Sequence, residues 1–201
     1  MVSNGDTTMN KTAIKNFAIW ARNKLIADIC YRAGLMGITE KGIADHLPQS
    51  TLDAQFYDIG AAEPYLVAGE AIKQRRQLVS AIREKEADTD YATAYQYIME
   101  EVAYTWFNRF SALRFMEVNG YLPSHVRAFT DENNAFKPQI LAEALHLELD
   151  KLDKDKVYAL KETEQTEELY KYLLIVQCNA LNSILPGMFQ TIADYTELLL
   201  P

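Results

Sequence analysis

The sequence predicts an all-α protein, an irregular bundle of about six helices. Three observations carry that expectation. Apolar residues recur at three- and four-residue steps over long stretches. No run of useful length alternates with a period of two, and no internal repeat is visible. Gly, Pro and Asx signals fall where the helical pattern stops.

The first eight residues, MVSNGDTT, are polar and precede a second methionine, Met9; they read as a tag or an alternative start. Residues 9–201 then read as one helical domain. Over residues 11–33, Ile14, Phe17, Ala18, Ala21, Leu25 and Ile29 follow helical spacing. Trp20 and Ile26 widen the apolar surface, so this helix is expected to be largely enclosed. Gly34 and Gly37 end it. Residues 38–64 contain Gly42, Pro48, Gly60 and Pro64 and read as loop with at most a short helical turn. A second helix is expected over residues 69–87, with Ile72, Arg75, Leu78, Val79 and Ile82 on one side.

Asp88 to Asp90 offer an N-cap, because a short carboxylate accepts bonds from the orphan N–H groups of a helix start. The longest helix follows, over residues 91–119. Asn119-Gly120 supplies its left-handed end, Pro123 blocks continuation, and a Schellman-type cap would set Tyr121 against Met116. Residues 124–137 read as a polar loop, and Pro138 suits a first helical turn. Two or three more helices follow, the clearest near residues 166–185, with Leu-Pro-Gly at 185–187 as the breaker. The chain closes on YTELLLP, an apolar run that reads as a truncation boundary and as a candidate contact surface.

A chain of 201 residues can bury a core without staples. The net charge of −8 argues against a generally basic nucleic-acid binder but leaves room for a local patch. Residues 9–32 carry five basic and one acidic side chain, as do residues 71–85. Residues 131–170 carry five lysines against eleven acids. The surface is polarised, or these are ordinary solvated faces. Cys30 and Cys178 read as reduced core thiols. No signal peptide and no membrane-length apolar run is visible, which fits a cytoplasmic protein.

No catalytic motif is present. No glycines lie two apart, which excludes a P-loop and a dinucleotide fingerprint. His46, His125 and His146 lack metal-ligand spacing. Glu100–Glu101 and Glu167–Glu168 are adjacent, so on a helix each pair diverges by about 100°.

The stretch YTWFNRFSALRFMEVNGYLP at residues 104–123 could be a core helix or a base-stacking surface. On a helical wheel Met99, Val102, Ala103, Trp106, Phe110 and Leu113 form one stripe, which favours a core helix. Arg109 and Arg114 fall at its edges, where guanidinium groups are expected to stay wet. Glu117 lies within pairing distance of Arg114.

MNKTAIKNFAIWARNKLIADICYRAGLMGI at the start resembles the amino-terminal region of PglX proteins, the adenine-specific DNA methyltransferases of BREX phage-defence systems. YQYIMEEVAYTWFNRFSALRFMEVNGYLPSHVR, QCNALNSILPGMF and DYTELLLP look like its continuation. The resemblance weakens over the acidic residues 130–168, a variable segment. It implies the helical N-terminal module of a much longer enzyme. That enzyme would bind S-adenosylmethionine in a Rossmann-like domain and grip a flipped adenine with an Asn/Asp-Pro-Pro-Tyr/Phe motif. Neither that motif nor a glycine-rich cofactor loop occurs here, so no catalytic, cofactor-binding or metal residue is assigned and the fragment is expected to be inactive alone.

The implied partners are the methyltransferase domain of the same full-length chain, double-stranded DNA and other BREX proteins. Lys11, Lys15 and Arg22 share about 40° of the first helix, and Arg75, Arg76 and Arg83 lie on the second; these six are the candidate DNA contacts. Two other readings stay open: a protein-interaction scaffold that never touches DNA, and a freestanding small enzyme.

Overall fold

The computed structural model describes residues 10–189 and 195–201. The expected tag or start at residues 1–8 lies outside them. The fold is mostly helical, as predicted, with two small antiparallel hairpins added.

Helix α1 spans Lys11–Leu35, and Asn10 caps it by accepting from the Ala13 N–H at 3.0 Å. Its buried residues are Ala21, Ile29 and Ala33. The expectation of a largely enclosed helix is therefore wrong for its first ten residues: Ile14, Phe17 and Trp20 are all more than half exposed. Periodicity counts apolar faces, but only neighbours cover them.

Gly37 follows with φ +71°, and a Cβ there would lie 3.0 Å from the Ala44 Cβ and 3.1 Å from the Tyr57 ring. Both the left-handed backbone and the close packing require glycine. Residues 38–64, expected to be loop, contain strands. β1 (Ile38–Thr39) pairs with β2 (Gly42–Ile43), and β3 (Ala54–Tyr57) pairs with β4 (Tyr65–Ala68). At two to four residues each, these strands are too short to leave a period-two signature. Tertiary contacts hold them. The Arg75 guanidinium donates to the carbonyls of Met36 at 2.8 Å and Ala44 at 2.9 Å, and sits 4.1 Å over the Tyr57 ring.

That arginine belongs to α2 (Glu70–Glu86), which buries Ile72, Leu78 and Ile82, with Val79 half-buried beside them. The predicted face is the observed one. Helix α3 (Tyr91–Val118) is capped by Asp90, which accepts from the Thr93 N–H at 3.1 Å. It packs against both α1 and α2. Trp106 is fully buried, and its indole N–H donates to the Thr196 carbonyl at 2.9 Å. The C-terminal end is a Schellman cap: Gly120 has φ +69°, its N–H donates to Glu117, and the Tyr121 N–H donates to Met116 at 2.8 Å. The Tyr121 ring meets Phe115 edge-on, and Tyr121, Phe115 and Met116 line one pocket.

One expectation fails here. Arg109 is buried, not wet at the stripe's edge; its guanidinium carbon lies 5.5 Å from the centre of the Trp106 ring. The partly exposed Arg114 does pair with Glu117, and that carboxylate is buried. Glu117 also accepts from the Thr130 hydroxyl at 2.6 Å and the Phe129 N–H at 2.7 Å. So one carboxylate ties the end of α3 to the loop that follows.

The polar loop leads to α4 (Gln139–Ala142), α5 (Lys154–Glu162) and α6 (Thr166–Ala180), with a 3-10 turn at Leu181–Ser183. A second, smaller core forms here from Ile140, Ala144, Leu147, Val157, Leu169 and Leu173. Helix α6 serves both cores, since Leu174, Ile175 and Cys178 face the main one. Burial pushes the Cys178 thiol up to about 12, against the opposing pull of Arg109. This supports an inert core thiol.

The chain closes with α7 (Tyr195–Leu198), packed on α2. Leu199 and Leu200 are buried in the main core, so the apolar end is not the open contact surface its sequence suggested.

Candidate nucleic-acid and docking surface

Lys11 and Lys15 stand exposed on the first turns of α1. Neither makes an ion pair or side-chain hydrogen bond among the described residues. Arg22 is different. Its guanidinium donates to the Glu100 carboxylate of α3 at 2.8 Å, and both side chains are partly open to solvent. A pair of that kind contributes about 0–1 kcal/mol, so Arg22 is partly neutralised but still available at the surface.

The α2 arginines have three different settings. Arg75 is committed to backbone carbonyls and to Tyr57, and burial lowers its pKa from the ordinary guanidinium value. Burial likewise raises the Tyr57 hydroxyl, with Arg75 opposing. Arg76 is exposed and makes no ion pair among the described residues. Arg83 donates to Glu86 at 2.6 Å and lies 5.8 Å over the Tyr91 ring. All three line a cleft of about 300 Å³ between α2 and the hairpins, together with Asp45 and His46. The Asp45 carboxylate disfavours an anion in that cleft. No hydrogen bond or ion pair joins the α1 trio to the α2 trio among the described residues.

A second feature is not apparent from the sequence. Phe17, Trp20 and Leu25 of α1 face Phe107 and Phe110 of α3 across a groove of about 520 Å³. Phe129 and Phe136 of the following loop close its other side. Phe17 and Trp20 have ring centres 5.9 Å apart, and Phe110 meets Phe129 edge-on at 5.8 Å. Trp20 is 61% exposed, Phe17 59% and Phe136 90%. Lys24 and Arg114 supply the cationic lining, paired with Asp28 and Glu117. The signal present in the sequence is that Trp20 and Ile26 widen the apolar surface of α1 beyond a single stripe, more than one neighbouring helix can cover.

The described strands do not form the parallel arrangement that a Rossmann-like cofactor site requires. A Rossmann-like site sits at the carboxyl ends of parallel strands that lead into helices. The strands here form two antiparallel hairpins. No group of His, Cys, Asp and Glu able to hold a metal occurs among the described residues, and no helix there is long and apolar enough to cross a membrane.

No protein-family model matches the chain. It is 38% identical over 200 residues to the adenine-specific methyltransferase PglX of Lacticaseibacillus casei (strain Zhang), a match covering 95% of this chain. It is 32% identical over 206 residues to the adenine-specific methyltransferase BrxX of Escherichia coli O9:H4 (strain HS), covering 96% of this chain. The chain spans only 16% and 15% of those relatives' own lengths. Along nearly its whole length this chain is thus related to one part of the PglX and BrxX adenine-specific methyltransferases, consistent with the amino-terminal region that its sequence resembles.

Proposed function

We propose that the chain is the helical N-terminal module of a PglX-type adenine-N6-specific DNA methyltransferase, acting in BREX phage defence in the cytoplasm. The observation that supports this reading is the match of nearly the whole chain to about a sixth of each relative. Cofactor binding and methyl transfer then belong to other parts of the longer protein. The module's work is to position double-stranded DNA, or partner BREX proteins, for that catalytic domain.

The DNA role rests on phosphate contact, which needs cations not already neutralised. Lys11, Lys15 and Arg76 meet that condition best, with Arg22 and Arg83 behind them and Arg75 last. Phosphate neutralisation releases counterions, so affinity falls steeply with salt. An electrophoretic shift of duplex DNA by this chain at low salt is the expected result. Changing Lys11 and Lys15 to Gln should flatten the slope of log affinity against log salt by about 0.9 for each phosphate left unneutralised. A chain that shifts no DNA even at low salt has no DNA role on its own. Isothermal titration with S-adenosylmethionine should show no binding; clear binding would overturn the module reading.

The exposed aromatic groove favours a second reading, an interaction scaffold without DNA contact. Capture of BREX partner proteins by this chain, with no DNA shift, is its expected signature.

A further inference from the structure

The hairpin of β3 and β4 has two edges, and only one is covered. The Gly69 N–H donates to the Asp53 carbonyl, which makes those two residues a hydrogen-bonded pair. Bonded and non-bonded pairs alternate along an antiparallel ladder. Phe56 with Leu66, and Ala54 with Ala68, are therefore non-bonded pairs, and their N–H and C=O groups point away from the partner strand. On the β3 side these groups are all engaged. The Leu47 N–H donates to the Phe56 carbonyl at 2.8 Å, and the Thr51 N–H to the Ala54 carbonyl at 2.8 Å. The Phe56 N–H donates to the Ser50 hydroxyl at 2.9 Å, and the Ala54 N–H to the Thr51 hydroxyl at 3.1 Å. On the β4 side the outward groups of Leu66 and Ala68 meet no partner among the described residues. Leu66 is also 49% exposed, so this edge presents backbone donors and acceptors beside an open apolar side chain. Such an edge is a template for one more strand, and Pro64 blunts only its start.

Charge selects the occupant. From residue 42 to residue 72 the chain has five acids and no Lys or Arg. All five acids are exposed. Asp53 lies at the Ala68 end of the edge, and Asp58 and Glu63 lie at the Tyr65 end, in the loop that joins the strands. No ion pair neutralises these three among the described residues, whereas Glu70 pairs with Lys73. The α2 arginines lie elsewhere, lining the cleft with Gln55 and Tyr57 on the face of the hairpin opposite Phe56 and Leu66. A strand carrying Lys or Arg complements this edge, and nucleic acid is repelled. A second copy paired edge to edge would bring the same acids and is repelled as well.

The shortness of the edge selects the source. So few backbone groups hold a free peptide weakly, because association costs translational and rotational freedom. A tethered segment avoids most of that cost through its high effective concentration. The chain spans about a sixth of its relatives, so a protein of their length has ample further sequence to supply one.

We infer that the outer edge of β4 takes a basic extended segment, from the remaining part of the same long polypeptide, as a third strand of the hairpin sheet. The inference rests on the proposed module reading and deepens it, by naming the surface through which the module is held to its parent. Leu66 and Ala68 would supply the backbone bonds, and Asp53, Asp58 and Glu63 would meet the cations.

Amide exchange read by mass spectrometry with residue-level fragmentation tests it. In the 201-residue chain the Leu66 and Ala68 amides should exchange fast, and Val67, bonded across the ladder, more slowly. In the complete gene product Leu66 and Ala68 should slow at least about tenfold. A longer product in which both exchange as fast as in the 201-residue chain overturns the docking and leaves the module reading standing. A gene product no longer than 201 residues removes the module reading and the proposed occupant together. Leu66→Pro removes an outward N–H and no ladder bond, so in the complete product it should return Ala68 to fast exchange. Asp53→Lys with Glu63→Lys should do the same without altering the backbone. Protection that survives this charge reversal overturns the proposed chemistry.

A second measurement uses the 201-residue chain alone. A hexapeptide alternating Lys and Val, blocked at both ends and added at millimolar concentration, should shift the Leu66 and Ala68 amide resonances. The same peptide with Glu in place of Lys should bind at least about tenfold more weakly. Equal binding of the two peptides, or shifts confined to residues outside the hairpin, overturns the proposal. Self-association abolished by Leu66→Pro would assign the edge to a second copy and overturn it equally.

Discussion

Residues 16–20 of α1 hold a Phe and a Trp three positions apart. Residues 104–110 of α3 hold Trp106, Phe107 and Phe110 in much the same pattern. Trp20 is 61% exposed and Trp106 is fully buried. The two segments have similar helix-forming chemistry, so the difference is one of neighbours. α3 lies between α1 and α2, and the carboxyl-terminal segment covers Trp106 through the Thr196 carbonyl. The first ten residues of α1 contain no buried side chain. An aromatic stripe is thus a demand for cover, and the fold meets it in one helix and leaves it open in the other.

The largest break in that comparison should come from Trp106→Ala. It removes a fully buried ring and a buried N–H bond, at a cost of about 3–5 kcal/mol. Urea unfolding followed by circular dichroism reads it, and a loss under about 1 kcal/mol would mean the site is not the core centre described. Glu117→Ala comes next, at about 2–3 kcal/mol, since it strips the buried acceptor from Arg114, Thr130 and the Phe129 N–H. Its effect should centre on the loop after α3, measurable as faster amide exchange at Phe129.

Tyr170 gives a smaller effect with a pH signature. Its hydroxyl donates to the Ala128 carbonyl at 3.0 Å, and burial pushes its pKa up to about 12. The folded value lies above the unfolded one of about 10. The neutral phenol therefore contributes stability that is complete below about pH 10 and is lost as pH rises toward about 12. Tyr170→Phe should cost about 1 kcal/mol at neutral pH and flatten part of that alkaline loss. Thermal melts across that range decide it. Trp20→Ala should be the mildest, within about 0.5 kcal/mol of the parent, because the ring is 61% exposed. A loss as large as that of Trp106→Ala would erase the contrast between the two helices.

The long helices are legible because their signals are local. Asp90 and Asn119-Gly120 mark the ends of α3, and Ile72, Leu78 and Ile82 mark the inner face of α2. The hairpins are not legible, since β1 to β4 are too short for alternation to register and depend on Arg75 reaching across from α2. Arg75 also shows why the candidate DNA contacts are only half readable. Sequence identifies a cation, but not whether its donors are already engaged; Arg76, one residue on, is exposed. Arg109 defeats the helical wheel for a related reason, because a wheel has edges but no neighbouring α6.

By itself the sequence determined the helical class, the caps, the apolar stripes and the likeness to PglX, all of which reside in short-range spacing or in residue identity. Only the tertiary structure decided which stripes are covered and which charges are neutralised. Burial and pairing depend on what lies opposite a side chain in space, and for Phe17, Trp20 and Arg75 the residues opposite are far away in the chain.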